Sequence, residues 1–358
     1  MDVEGKLAAI TRNLVEVITP EELRERLSSG SQLRGYIGYE PSGLVHIGHL
    51  IWMNKVKDLV EAGVHFIVLE ATWHAMINDK LGGDIDLIRK AAWLMREVMR
   101  SVGVDVDRVE FVDAERIASD RDYWALVIKV MKLTTLARMR RALTIMGRNY
   151  DEAELDASKL IYPAMQVSDI LYMDLDLALG GLDQRKAHVL QREVAERMGR
   201  KKVVALHTPI LTGLSGGRRM EGVEKDEEVA AFKMSKSKAS DAIFLSDSED
   251  EVRSKIRAAY CPPRQVEFNP IIEINRYILF ARPGFVLHVE RPQKYGGPID
   301  FHSYEELANA YVQGRLHPAD LKEATAEALV KLLEGPRRLF ERPEVRELVS
   351  VIESKVSR

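Results

Sequence analysis

Two histidines three residues apart, His46 and His49, lie in the run Pro41-Ser42-Gly43-Leu44-Val45-His46-Ile47-Gly48-His49, between a short apolar run and an amphipathic helical pattern. At such a turn small residues let the backbone approach a nucleotide, a helix N-terminus offers N–H groups and positive potential, and two imidazoles can face one phosphate. The same spacing suits two histidines capping an ordinary helix, and by itself it gives a metal little support. Further on, Lys233-Met234-Ser235-Lys236-Ser237 is followed by Lys238, so that three lysines fall within six residues. Flexible ammonium groups of this kind close over a triphosphate and neutralise charge developing on pyrophosphate, although alone the run equally suits a solvated basic turn. A third set, Tyr162, Gln166 and Asp169, projects from one face of a helix at i, i+4 and i+7. In isolation a polar stripe of this sort reads as a wet surface.

These residues need a scaffold, and the pattern around them supplies one. Short apolar runs at Arg34–Gly38, Val64–Ala71, Val109–Val112, Leu175–Leu179 and Val203–Leu206 alternate with helical patterns. One helix is expected from about His46 to Ala62, ended by Gly63. Another carries Asp84 and Asp86 in its first turn, Leu87, Ala91, Leu94, Val98 and Val102 on its apolar face, and a stop at Gly103. The alternation predicts a doubly wound, Rossmann-like α/β domain with a mainly parallel sheet over residues 1–230. Gly213–Val229, rich in glycine and charge, reads as a surface loop, and 231–246 as a linker holding the lysine motif. From 247 to 358 helical segments separated by proline joints predict a mostly helical second domain.

The bulk composition is that of a globular protein. Of 358 residues 46% are hydrophobic and 30% charged, which argues against disorder. The N-terminus is charged throughout and no segment reaches membrane-spanning length, so neither a secretory signal nor a membrane anchor is expected. One cysteine, Cys261, leaves no intrachain disulfide and no cysteine-rich zinc site, and together these features fit a reducing cytoplasm. A net charge of −3 gives no global sign of nucleic-acid binding. Locally, however, Tyr123–Tyr150 holds Lys129, Lys132, Arg138, Arg140, Arg141 and Arg148 with no acidic residue, a docking candidate for a phosphate backbone or else a solvated helix face.

Taken together, His46–His49 and Lys233–Ser237 resemble, letter for letter and in order, the HIGH and KMSKS motifs of class I aminoacyl-tRNA synthetases. Tyr162–Asp169 (YPAMQVSD), Gly180–Lys186 (GGLDQRK) and Arg34–Gly43 (RGYIGYEPSG) resemble the tyrosyl-tRNA synthetases of archaeal and eukaryotic type, and the likeness runs from about Gly30 to Phe340. The resemblance implies that the chain activates L-tyrosine with ATP, accompanied by Mg2+ and with no structural metal, and passes the tyrosyl group to tRNA(Tyr). By the same resemblance His46, His49, Lys233 and Lys236 are catalytic, and Pro41, Gly43, Gly48, Gly181, Asp183, Met234, Ser235 and Ser237 join them around ATP. Tyr36 and Asp169 match the pair that binds the substrate phenol, while Tyr162, Gln166 and Gln184 match the residues at its ammonium end. Arg140 and Lys186 match contacts to the tRNA acceptor stem, within an insertion around 115–160 for Arg140. In the anticodon-binding domain Tyr295 matches a base-stacking aromatic, and His317 and Asp320 match polar base readers. A homodimer is implied too, with the apolar helices around Trp124–Met146 as its interface.

Two departures from the family pattern stand out: residues 213–229 are long, and Lys238-Ala239-Ser240 replaces a usual Lys-Gly-Asn. A tryptophanyl-tRNA synthetase would share the fold and motifs, but indole has one donor and no acceptor to match Tyr36 and Asp169. A small-molecule nucleotidyltransferase could carry HxGH without needing KMSKS and a helical RNA-reading domain. A catalytically inactive RNA-binding paralogue would not need His46, His49, Lys233 and Lys236 intact.

Overall fold

The run His65–Glu70 is buried on both faces, as a strand covered on both sides must be, and it pairs in parallel with Arg34–Tyr39, which stands at the centre of the sheet beside Leu177–Gly181. The computed structural model describes residues 1–147, 156–217, 232–235 and 239–356. Its main sheet has six strands, β1 (Glu16–Ile18), β2 (Arg34–Tyr39), β3 (His65–Glu70), β4 (Val109–Asp113), β5 (Leu177–Gly181) and β6 (Val204–Thr208), in the order β1-β6-β5-β2-β3-β4. The last five are parallel, as the alternation predicts, and β1 adds an antiparallel edge on β6. That edge strand is too short for its sequence to carry a readable period.

Strand order reverses between β5 and β2, and in doubly wound sheets ligands bind beyond the carboxyl ends of the strands at such a switch point. Here β2 runs out into Glu40–Gly43 and β5 into Leu182–Gln184. The helix Ile85–Ser101 begins where the sequence places it, with the Asp84 carboxylate accepting from Leu87 N–H at 3.1 Å. Its Leu87, Ala91, Leu94 and Val98 are all buried. The helix Tyr162–Tyr172 has a proline in its first turn, where the missing N–H costs nothing, and packs against the helix Arg121–Lys132.

The chain forms two compact units. One comprises Met1–Gly43, Lys55–Thr208 and Leu348–Arg358; the other Leu44–Asn54 and Pro209–Glu347. The second unit contains the helices Glu249–Ala258, Pro270–Ile274, Tyr304–Val312, Pro318–Leu332 and Glu334–Phe340. It is mostly helical as expected, yet it also carries a hairpin, β7 (Leu287–Val289) with β8 (Ile299–Phe301), which the proline joints concealed. Within it Val45–Ile47 lies beside Ile243–Leu245, with Ile47 N–H donating to Ile243 O and Leu245 N–H to Val45 O, both at 2.9 Å.

Candidate active site

In the first unit, the stripe on the helix Tyr162–Tyr172 is buried and not a wet face: Tyr162 is 6% and Asp169 2% exposed. Tyr36 rises from β2 into the same core at 1% exposure. Burial, together with the nearby Asp169 carboxylate, pushes the Tyr36 phenol well above its ordinary pKa, so it stays protonated and can donate. Asp169 accepts from Tyr123 Oη at 2.8 Å and lies 3.2 Å from His74 Nε2, off-line for a hydrogen bond. Burial first and Asp169 second also hold Tyr123 in its protonated form. A carboxylate has about four acceptor sites, so Asp169 keeps capacity for a further O–H.

Within reach of the Tyr36 phenol, Gln166 Nε2 donates to Gln184 Oε1 at 3.1 Å, and Gln184 Nε2 donates to Ile145 O at 3.0 Å. Gln166 Oε1 is buried with no hydrogen-bond partner among the described residues, an acceptor suited to a cationic N–H. Tyr162 points elsewhere than the two glutamines. Its Oη donates to Glu40 Oε1 at 2.6 Å, and Glu40 also accepts from Asn78 Nδ2 at 2.8 and 3.0 Å. Tyr123, His74, Glu40 and Asn78 thus belong to the site although the sequence reading passes over them. Tyr123 lies within the segment read for its lysines and arginines, and nothing in local spacing brings His74 or Asn78 to a helix some ninety positions on. Glu40 alone left a signal, as a lone carboxylate in the turn that β2 feeds.

Asp183 stands in the one-turn helix Leu182–Gln184 that follows Gly181, and Lys186 in the first turn of the helix Arg185–Arg197. Arg140 is exposed on the helix Leu136–Ala142. These last two helices are tied by Arg138, whose guanidinium donates to both Glu193 oxygens at 3.2 and 3.1 Å. The basic segment therefore has a counter-charge that lies far along the chain. Lys129, Lys132 and Arg141 remain exposed, and Arg148 lies outside the described residues. Pro41 is buried, and Gly43 has φ +96°, where a Cβ would also overlap Ile352.

In the second unit His46 and His49 stand at a helix N-terminus, the helix running His49–Glu61. His46 Nδ1 accepts from Gly48 N–H at 3.2 Å, which leaves the proton of a neutral ring on Nε2 as a donor. A Cβ on Gly48 would lie 2.8 Å from His46 Cε1, so the glycine makes room for that ring position. His49 Nδ1 lies 3.0 Å from His46 O, and the two rings meet edge to face with centroids 4.2 Å apart. Lys233 pairs antiparallel with Thr212, Met234 is buried behind it, and Ser235 follows. Lys236 and Ser237 lie outside the described residues.

Also in this unit, Tyr295 is 62% exposed at the end of a one-turn helix, with Lys294 Nζ over its ring. Arg291 ties that turn to the approach of the next long helix, donating to Gly297 O at 3.0 Å and to Arg315 O at 2.7 Å. His317 caps that helix, Pro318–Leu332, with Asp320 in its first turn. The arrangement offers one exposed aromatic and two polar side chains on linked segments.

A doubly wound sheet with a buried polar cluster at its switch point, joined in sequence to HIGH and KMSKS segments, defines a class I aminoacyl-tRNA synthetase. The family model for class I tRNA synthetases of the tryptophan and tyrosine group matches residues 28–334, and the chain belongs to that family. Among its relatives in the group are tyrosine enzymes. The tyrosine–tRNA ligase of Aeropyrum pernix is 62% identical over 361 residues, covering 100% of this chain and 99% of its own. The crystal structure of tyrosyl-tRNA synthetase from the same organism superposes with a TM-score of 0.89, covering 99% of this chain and 100% of that one at 57% identity. The tyrosyl-tRNA synthetase from Pyrococcus horikoshii, complexed with L-tyrosine, does so with a TM-score of 0.90 at 41% identity, covering 99% and 100%.

Proposed function

We propose that the chain is a tyrosine–tRNA ligase: it activates L-tyrosine with ATP to tyrosyl-adenylate and pyrophosphate, then transfers the tyrosyl group to the 3′ end of tRNA(Tyr). The observation that carries this reading is the burial of Tyr36 and Asp169 close together in one core, a donor and a carboxylate acceptor that suit a group that is both. A phenol satisfies both, whereas indole would leave the Tyr36 O–H unmatched and phenylalanine would leave both unmatched. Gln166 and Gln184 receive the ammonium group, and Glu40, through its bond to Tyr162, holds that side chain in place.

No protein nucleophile is needed, because the tyrosine carboxylate attacks the α-phosphorus of ATP and the terminal ribose hydroxyl of tRNA later attacks the acyl carbon. Catalysis is positioning and charge stabilisation: His46 and His49 donate to the reacting phosphate while Lys233 and Lys236 neutralise the departing pyrophosphate. Pro41, Gly43 and Gly48 shape the turn that receives the nucleotide, and Asp183 faces its ribose. Mg2+ enters with the phosphates as part of the substrate. The acceptor stem docks on Arg140 and Lys186, the anticodon on Tyr295, His317 and Asp320, and the enzyme works as a homodimer in the cytoplasm.

Tyrosine-dependent ATP–pyrophosphate exchange by the purified protein tests the reading. Exchange driven by tyrosine and not by tryptophan, reduced about 10²–10³-fold in His46→Ala and His49→Ala, is expected. Exchange with tryptophan instead, or none with either, would refute it.

A further inference from the structure

Lys233 owes its backbone position to the segment it pairs with. Gly213 N–H donates to Phe232 O at 2.8 Å and Met234 N–H to Leu211 O at 2.7 Å, so the bonds flank the Thr212–Lys233 pair on either side. In that register the N–H of Thr212 itself points away from Lys233. It donates instead to Glu273 Oε2 at 2.8 Å, while Thr212 Oγ1 donates to Glu273 Oε1 at 2.9 Å. One carboxylate thus takes both donors of Thr212 and occupies the place that a third strand would fill. Burial raises the Glu273 carboxyl above its usual range, offset in part by these same two bonds, which ranks it among costly groups kept for a purpose.

Glu273 is itself firmly placed. It lies on the helix Pro270–Ile274, capped by Asn269, whose Oδ1 accepts from Ile271 and Ile272 N–H at 3.1 and 3.4 Å. That helix continues as a π-turn, Asn275–Leu279, where Asn275 Nδ2 donates to Ile271 O and to Thr325 Oγ1, both at 2.8 Å. Single π-turns inserted in helices are frequent at functional sites.

We propose that Glu273 is a positioning residue for adenylate formation: its carboxylate fixes the Leu211–Gly213 strand and through it the place of Lys233. The inference rests on the reading of Lys233 as a pyrophosphate-neutralising group. Displacing such a group by about 1 Å costs on the order of 10²-fold in rate. A glutamine at position 273 can still accept the Thr212 N–H and donate to its hydroxyl, whereas alanine leaves both unmatched.

Single-turnover formation of tyrosyl-adenylate by the full chain is the measurement, in Glu273→Ala, Glu273→Gln, Thr212→Val, Lys233→Ala and the Glu273→Ala/Lys233→Ala pair. Glu273→Ala is expected to slow adenylation about 10²-fold with KM for tyrosine unchanged, and Glu273→Gln to recover most of the rate. Thr212→Val, which keeps its N–H bond and its shape, should fall between them and keeps the test alive if the alanine variant fails to fold. The double variant should be no slower than Lys233→Ala alone, since both changes act through one group. A wild-type rate in Glu273→Ala beside a slow Lys233→Ala, multiplying effects in the pair, or a glutamine variant no better than alanine would overturn the inference and leave the reading of Lys233 standing. A wild-type rate in Lys233→Ala would overturn that reading, and the inference with it.

Discussion

Asp169 carries three relationships at once: it accepts from Tyr123, lies beside His74 and faces Tyr36. A buried carboxylate in this position has a cost unless its remaining acceptor sites are filled, and under the proposed function the substrate phenol fills one. Asp169→Asn removes the charge and leaves the Tyr123 O–H with a weaker acceptor, whereas Tyr36→Phe removes one donor and keeps the carboxylate. Each orphaned group is worth about 1–3 kcal/mol. The expected outcome is a fall in the preference for tyrosine over phenylalanine in both variants, larger in Asp169→Asn. The kcat/KM values for the two amino acids in pyrophosphate exchange report it, and a preference left at its wild-type value in both would move phenol recognition elsewhere.

Three elements are pinned together by a buried polar stack at the level of whole strands and helices. Glu16 on β1 accepts from Arg185 Nε at 3.0 and 2.9 Å and pairs with His207 Nδ1 on β6 at 2.7 Å. His207 Nε2 in turn lies 3.0 Å from His188 Nδ1 on the helix Arg185–Arg197, with the two rings stacked. Burial first and the Arg185 guanidinium second lower His207 from 6.5 to about 4, and burial lowers His188 well below the usual range. Both rings are therefore neutral in the folded chain. As pH falls from 6.5 toward 4 the unfolded chain takes up protons at these histidines that the folded chain refuses, so stability is lost across that window and is complete above it. For His207 the loss amounts to about 3 kcal/mol. His207→Gln should lower the starting stability yet flatten its dependence on pH, as followed by Tm between about pH 7 and pH 4. Parallel curves for the two proteins would show that another group titrates there. Gln184 immediately precedes the helix that carries Arg185 and His188, so the element held by the stack also sets where Gln184 stands.

For the molecule as a whole, the surface carries the side chains proposed to meet a macromolecular partner. Tyr295 is 62% exposed and held by a turn that Arg291 ties to the approach of His317. Stacking one unpaired base on an aromatic is worth roughly 1–3 kcal/mol. Replacing Tyr295, His317 and Asp320 together by alanine should raise KM for tRNA at least about tenfold and leave tyrosine-dependent pyrophosphate exchange intact. Aminoacylation kinetics unchanged by all three substitutions would place anticodon reading elsewhere. On the helix Arg121–Lys132, Tyr123, Leu126, Val127 and Val130 are buried while Ile128 at 60% and Met131 at 37% face outward, with Leu136 at 55% beyond them. Exposed apolar side chains in one region fit a surface covered by a second copy. Ile128→Glu is expected to shift the protein toward monomer in sedimentation velocity, and an unmoved sedimentation coefficient would point to a different interface.

What the sequence determined by itself is whatever depends on local spacing. The apolar runs gave five parallel strands within a residue or two, Asp84 marked its helix start, and the HIGH and KMSKS letters identified the reaction class, because a phosphate-binding turn is built from contiguous residues. Tyr162, Gln166 and Asp169 were legible as one stripe because a helix puts i and i+3 or i+4 on one face, whereas Tyr36, on a strand, was picked out only by its match to the family's RGYIGYEPSG segment. Tertiary structure decided which face was buried: the stripe that reads as wet from its polarity packs inside the first unit. It also supplied Tyr123, His74, Glu40 and Asn78, turned Tyr162 toward Glu40, and neutralised Arg138 with Glu193, all contacts between elements separated by dozens of residues. The β1 edge and the β7–β8 hairpin stayed unread since three residues hold no period, and their pairing comes from a distant strand or from a turn hidden among prolines. Hydrogen-bond partners and burial are properties of packed neighbours, and only the fold assigns neighbours across the chain.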